Sequence, residues 1–254
     1  MIDLAQDAGV VADKESVGGG NKFAAWDSNV YNCIVDTAYL EQAQSKAIGM
    51  VVIFKDPDTD KTMKETFWIK SGDAKGNKTY YLDKKKKDDA GNPIKHPLPG
   101  YTSAERLCMA AIGENLNDAA QKVEKKTLNI FDWGQRKDVP QERPVFTELM
   151  GKPVKVAMSK IKEFKRKKNE STGVYEDTAE TREINETRLF FDPKSSLSAE
   201  EKAEGATEAA RMQEWLDNNE GEVIDKTDGA KPADTPAATV VEAPAQDSAS
   251  SLFG

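Results

Sequence analysis

The chain has 254 residues, 36 of them Lys or Arg and 44 Asp or Glu, and only 38% of it is hydrophobic. That apolar share is too small for a single core of this length and points to a medium domain with appendages. Two cysteines, Cys33 and Cys108, make neither a disulfide framework nor metal-ligand spacing, so buried reduced thiols are expected. No apolar run approaches the ~20 residues of a membrane-spanning helix.

The net charge of −8 is unevenly spread. Met1–Asp192 carries 31 basic and 31 acidic residues, whereas Pro193–Gly254 carries 5 and 13. Within the first part, Lys46–Lys168 holds 27 basic against 17 acidic residues. A basic body with an acidic tail suits a nucleic-acid-binding protein better than an evenly acidic enzyme.

Residues 1–24 lack the basic start and long apolar stretch of a signal peptide. Their small, polar, glycine-terminated sequence predicts a flexible arm. A soluble, cytoplasmic protein that does not enter a membrane is expected.

Three strands follow in succession: Val30–Leu40, Ala47–Lys55 and Thr62–Lys70. Side chains alternate across a strand, so Met63, Glu65, Phe67 and Ile69 share one face of the third strand. Lys64, Thr66, Trp68 and Lys70 share the other. An outer face of lysine, threonine and tryptophan suits a polyanion carrying flat groups, as single-stranded nucleic acid does. It equally suits a solvated face with one tryptophan lying on lysine stems. The run Asp56-Pro57-Asp58-Thr59-Asp60 lacks the Gly and Glu of a calcium-binding loop and reads as a hairpin turn.

Residues 71–100 read as an insertion punctuated by Gly, Asn and Pro. A short strand, Thr79–Leu82, carries Tyr80 and Tyr81, and the run Lys84, Lys85, Lys86, Lys87 follows. Phosphate neutralisation and base stacking are the two terms that single-strand binding needs. His96, the one histidine, has no partner in the sequence and reads as a loop residue.

Tyr101–Gly113 is the clearest helix, with Leu107, Ala110 and Ala111 at i, i+3, i+4 and Gly113 as its stop. Arg106 on it can reach a phosphate or pair with Glu105 or Asp73. Glu114–Lys126 predicts a second, more polar helix, and Leu128–Trp133 a short packed segment. A fourth long strand over Gly151–Phe164 carries Lys160 and Lys162. It runs into Lys165, Arg166, Lys167 and Lys168, with a polar loop to about Thr181 and a fifth strand over Ile184–Phe191. That basic tip reads as a finger over a nucleic-acid backbone, or as a solvated loop whose lysines discourage edge-to-edge aggregation. Ser198-Ala199-Glu200-Glu201 has the capping-box pattern and opens a weakly amphipathic helix to about Asp217. From Asn218 the Ala/Pro/Asp/Thr-rich sequence predicts a disordered acidic tail, ending in Leu252-Phe253-Gly254.

Five strands with a helix between the third and fourth is the order of an OB-fold barrel. The chain also resembles phage-encoded single-stranded-DNA-binding proteins of the OB type. The resemblance lies in Val35-Asp36-Thr37-Ala38-Tyr39-Leu40, Ser45-Lys46-Ala47-Ile48-Gly49-Met50, Thr66-Phe67-Trp68-Ile69, Pro99–Leu107 and Gly151-Lys152-Pro153-Val154. It covers roughly residues 25–192. It implies a mainly β, OB-fold nucleic-acid-binding domain over that range, then a short helical extension over 193–217 and an acidic tail over 218–254. Leu252 and Phe253 would recruit replication, recombination or RNA polymerase proteins. The final Gly254 and the spaced acids depart from the usual tail of that family.

The expected function is non-enzymatic coating of single-stranded DNA, in phage replication, recombination or repair, with no cofactor or metal. Bases would stack on Trp68, Tyr80 and Tyr81, with Phe54 and Trp133 as further candidates. Phosphates would meet Lys64, Lys70, Lys84–Lys87, Lys160, Lys162 and Lys165–Lys168. Two other classes stand beside it: a protein-interaction adaptor, such as a transcription or polymerase accessory factor, and a metal-dependent nuclease using scattered carboxylates. The nuclease reading lacks a spaced metal cluster and a partnered histidine.

Overall fold

The computed structural model describes residues 25–132, 134–171 and 173–228, with Lys84 in its main chain alone. The expected arm over 1–24, the ring of Trp133 and the Leu252-Phe253 tip lie outside the described residues. In chain order the elements begin with β1 (Asn29–Gln42), β2 (Ile48–Lys55), β3 (Thr62–Lys70), β4 (Tyr80–Lys87) and β5 (Pro93–Pro97). Then come α1 (Pro99–Ile112), α2 (Leu116–Gln121), β6 (Glu124–Asp132), β7 (Lys137–Val145), β8 (Pro153–Lys168) and β9 (Tyr175–Phe191). The described chain ends with α3 (Ala199–Ala203), α4 (Ala210–Asn219) and β10 (Val223–Asp225). The protein is mainly β, with antiparallel sheets.

By its contacts the chain divides into two compact units. One runs up to Ile161 and resumes over Glu183–Ile224; the other comprises Lys162–Arg182 with the residues from Asp225.

In the first unit the strands run side by side as β3-β2-β1-β8-β9. β1 has two long partners, β2 and β8, and meets a third, β7, where Tyr39 pairs with Val145. Its residues Asn29–Ile34 pair with Met158–Pro153 of β8, and Ile34–Gln42 pair with β2. The register shifts between Val35 and Thr37, a bulge that bends the strand from one partner to the other. Alternation then sends Cys33, Val35, Met50, Val52, Phe54, Phe67, Val154, Val156, Met158 and Phe190 into one core. The Phe190 ring stacks on Phe54 at 5.9 Å and meets Phe67 edge-on at 5.9 Å. α1 closes this core with Ala104, Leu107, Cys108 and Ala110. Pro99 sits in its first turn, and at its end the N–H of Gly113 (φ 74°) donates to the Met109 carbonyl, as a left-handed helix stop requires. The two thiols are buried, which pushes each up to about 12, and both are free.

The opposite faces of the strands are also partly covered. β6 and β7 form a hairpin in continuous register from Glu124↔Val145 to Asp132↔Lys137. It lays Leu128 and Ile130 over Tyr39 and Val51. α4 lays Trp215, Met212 and Leu216 over Ala157 and Phe191.

Several expected elements differ. The helix expected over Glu114–Lys126 stops at Gln121, and the packed segment at Leu128 is the middle of β6. The helix expected from Ser198 to Asp217 is two helices, because Gly205 adopts φ 73° and ends the first. Residues 218–228 are not yet tail: α4 continues to Asn219 and β10 follows.

Buried Glu201 joins the two helices. Its carboxylate accepts the Ser198 N–H at 2.8 Å, completing the expected capping box, and the Arg211 N–H at 2.8 Å. Burial acts to raise the carboxyl of Glu201, but the Arg211 and Ser198 donors outweigh it and hold the group below the usual range. Asp192 behaves alike, burial being overcome by the Lys202 ammonium at 2.5 Å and the Ser195 N–H at 2.7 Å. Groups depressed in the folded chain contribute stability that is complete above the unfolded carboxylate values and is lost as pH falls from there through the depressed folded values. The melting temperature is therefore expected to start falling below about pH 5 and to go on falling below about pH 3, because Asp192 is held far under the usual carboxylate range. Glu201→Gln should flatten that slope in calorimetry at a series of pH values, and an unchanged slope would remove Glu201 from the cause.

The second unit consists of the Lys162–Arg182 parts of β8 and β9 with the segment from Asp225. The residues after Phe164, expected as a basic loop to Thr181, are largely strand. Lys165 pairs with Glu180 at 2.8 Å, Arg166 with Asp177 at 3.3 Å, Arg182 with Glu163 at 2.7 Å and Lys162 with Asp225 at 3.0 Å.

Candidate nucleic-acid interface

β3 presents its two faces as alternation requires: Phe67 is buried while Lys64 and Trp68 are exposed. The Trp68 ring is 47% exposed. It lies over Gly49, its partner across the β2–β3 ladder. A Cβ at Gly49 would stand 3.3 Å from Trp68 Cε3 and Cζ3 and 2.8 Å from Thr66 Cγ2. Glycine thus gives the ring a flat seat on the strand, the aromatic-over-glycine pairing that stabilises sheets. On the other side of Trp68, Gly100 lets the start of α1 approach the strand itself. A Cβ there would lie 2.5 Å from the Trp68 nitrogen and 2.6 Å from its carbonyl oxygen.

Between these elements is a cleft of about 620 Å³. Trp68, Phe67, Ala47 and Leu98 supply apolar wall, and Lys70 and Lys75 supply charge. Glu65, Glu186 and Thr187 also line it. Lys64, Lys70 and Lys75 have no ion pair among the described residues. Cations without acidic partners are the ones available to phosphate.

The insertion forms a separate two-stranded sheet, β4 with β5, tied at its base where the Ser71 N–H donates to Lys78 O and the Leu98 N–H donates to Thr79 O. The strand is longer than the expected Thr79–Leu82 and takes in the lysine run. Tyr80 and Tyr81 are consecutive on it and so point to opposite faces. Tyr81, 50% exposed, pairs across the ladder with His96, their rings 5.5 Å apart at 30°. His96 also stands 3.9 Å from Asp83. Tyr80 is instead flanked by the Lys95 and Lys78 ammonium groups at 5.1 and 5.5 Å from its ring. The two tyrosines therefore do not form one stacking surface. Lys85, Lys86 and Lys87 are exposed and unpaired among the described residues; the side chain of Lys84 lies outside them.

Other expected contacts are not at a surface, or not free. Phe54 is wholly buried in the core and stacks on Phe190, so it cannot meet a base. The run Met50–Phe54 that it ends is apolar at every position, which hid in the sequence the face it belongs to. Lys160, 18% exposed in its side chain, is held by Asp27 at 3.4 Å and Glu183 at 3.1 Å. In the second unit Lys162, Lys165 and Arg166 have acidic partners, leaving Lys167 and Lys168 exposed without an ion pair among the described residues. The stretch 162–182 holds 6 basic and 5 acidic residues, so the basic finger is close to neutral once folded. Arg106 pairs with Glu200 at 2.6 Å rather than with Glu105 or Asp73.

Sequence reasoning did not find Gly49, Gly100, Lys75 or the cleft. A glycine inside an otherwise apolar strand was the one available signal. Among the described residues no group of three His, Cys, Asp or Glu is placed to hold a metal ion, and no helix is long and apolar enough to cross a membrane. Compared with known protein families, curated proteins and solved structures, the chain matches none.

Proposed function

We propose that the protein binds single-stranded DNA without catalysing a reaction on it, with the cleft beside Trp68 as its principal contact. The observation that carries this reading is the half-exposed Trp68 ring, seated on Gly49 in a cleft whose lysines have no acidic partners among the described residues. An open aromatic face takes a base of any sequence, and unpaired lysines take the adjoining phosphates. The strand order β3-β2-β1-β8-β9, with β1 bent between two partners and α1 following β3 in the chain, supports an OB-type barrel. The hairpins β4–β5 and β6–β7 are then insertions on it. DNA rather than RNA, and a role in phage replication, recombination or repair with partners recruited by the acidic tail, follow from the resemblance in the residues named above.

Titrating the tryptophan fluorescence with a dT oligonucleotide at low and high salt tests the reading. Quenching is expected, with an affinity that falls steeply from about 50 to 200 mM salt. Absence of both quenching and binding at low salt would overturn it in favour of a protein-interaction adaptor.

A further inference from the structure

The cleft beside Trp68 contains a carboxylate that neither stacking nor phosphate contact uses. Glu65 lines it from β3, on the face of the strand opposite to Trp68. It precedes Lys70 by five residues, about 17 Å along a strand. That distance exceeds the reach of one nucleotide from phosphate to base edge, so a phosphate on Lys70 and Lys75 and a base at Glu65 belong to neighbouring nucleotides of one strand. The hydrogen bonds to Glu65 come from main chain: the Thr187 N–H at 3.4 Å, and the Thr66 N–H. No side chain donates to it among the described residues. Arg188, whose charge acts on Glu65, bonds Glu186 at 3.2 Å and Ser159 at 3.2 Å instead.

A carboxylate has room for about four hydrogen bonds, so Glu65, in the wall of the cleft, keeps acceptor capacity. Burial pushes its carboxyl up, opposed by the two N–H donors. In a cleft for a polyanion such a group repels every phosphate equally and rewards only a ligand that brings an N–H. Bases differ in that respect. Cytosine offers its N4 amino donor where thymine offers the O4 acceptor, and carboxylates are natural partners of cytosine N4.

We propose that Glu65 is a specificity-determining residue that accepts a hydrogen bond from the exocyclic amino group of a base held in this cleft, so that the protein favours cytosine over thymine. The proposal rests on the single-strand-binding reading and adds a base preference to it. Cytosine and thymine are both pyrimidines of similar stacking area, so comparing them isolates the donor.

The test is the affinity of the full chain and of Glu65→Gln for dC and dT oligonucleotides of equal length at neutral pH. The unmodified chain should bind dC about fivefold more tightly than dT. Glu65→Gln, whose amide both donates and accepts, should bind the two within about twofold, with its dT affinity retained. Glu65→Asp keeps the charge but draws it back by one methylene, and it too should lose the preference; thermal melts establish that each variant is folded. Equal dC and dT affinities in the unmodified chain would overturn the inference and leave the binding reading standing. A preference that survives in folded Glu65→Gln would also overturn it. Binding to neither oligonucleotide would overturn the binding reading itself.

Discussion

Replacing Phe54 by alanine is expected to lower stability by about 3–5 kcal/mol, the usual cost of truncating a fully buried phenylalanine. Phe54 has no exposed surface, and its ring fills the space between β2 and β9 against Phe190. Phe67 and Met63 line the same core, so the void left by the ring has rigid walls on both sides. Such a void collapses poorly, which places the expected loss toward the upper end. Urea denaturation followed by far-UV circular dichroism measures it as a shift of the midpoint at unchanged slope. The part of the population still folded should bind DNA as the unmodified chain does. A Phe54→Ala variant as stable as its parent but weaker in binding would return Phe54 to the interface.

The converse is expected at Trp68. Its removal should cost about 1–3 kcal/mol of binding, roughly a 5- to 150-fold loss of affinity for dT. The fold should be little disturbed, because half of the ring already faces water and the glycine beneath it needs no filling. Fluorescence anisotropy of a labelled oligonucleotide reads the effect without relying on tryptophan emission. Trp68→Phe should recover most of the affinity, since it keeps an aromatic face. A folded Trp68→Ala variant with unchanged affinity would move the interface elsewhere, and the Tyr81–His96 face of the β4–β5 hairpin would be the next place to look.

The three opening strands and the face that Trp68 occupies were legible in the sequence, because in β3 Met63, Phe67 and Ile69 alternate with Lys64, Thr66 and Lys70. The stop of α1 was legible too, because glycine answers a definite backbone need there. Phe54 was not: Met50-Val51-Val52-Ile53-Phe54 is apolar at every position and carries no period-2 signal. The sheet resolves it by burying Met50, Val52 and Phe54 in the main core and laying Val51 under the β6–β7 hairpin. That hairpin was itself hidden. Pro140 and Pro144 and a high charge density mask β7, and only Leu128 and Ile130 mark the inward face of β6. The neutral character of the Lys165–Lys168 stretch was illegible for a different reason. Its partners Glu180 and Asp177 lie more than ten residues further on and meet it only through the pairing of β8 with β9. A run of like charge in one strand says nothing about the strand that will lie beside it.

The bend in β1 has a consequence for how the chain is made. The half of β1 beyond the bulge finds β2 within a few residues, but Asn29–Ile34 waits for Met158–Pro153. About 120 residues separate the two, so at typical synthesis rates the early half of β1 spends roughly 6–24 s outside the ribosome before its neighbour exists. During that interval Val30, Tyr31, Cys33 and Ile34 present an open, largely apolar edge, the kind that recruits other chains. Nascent protein truncated before β8 is thus expected to be a target of chaperones and proteases, and completion of the late strands sets the moment at which the newborn molecule becomes safe from its own copies.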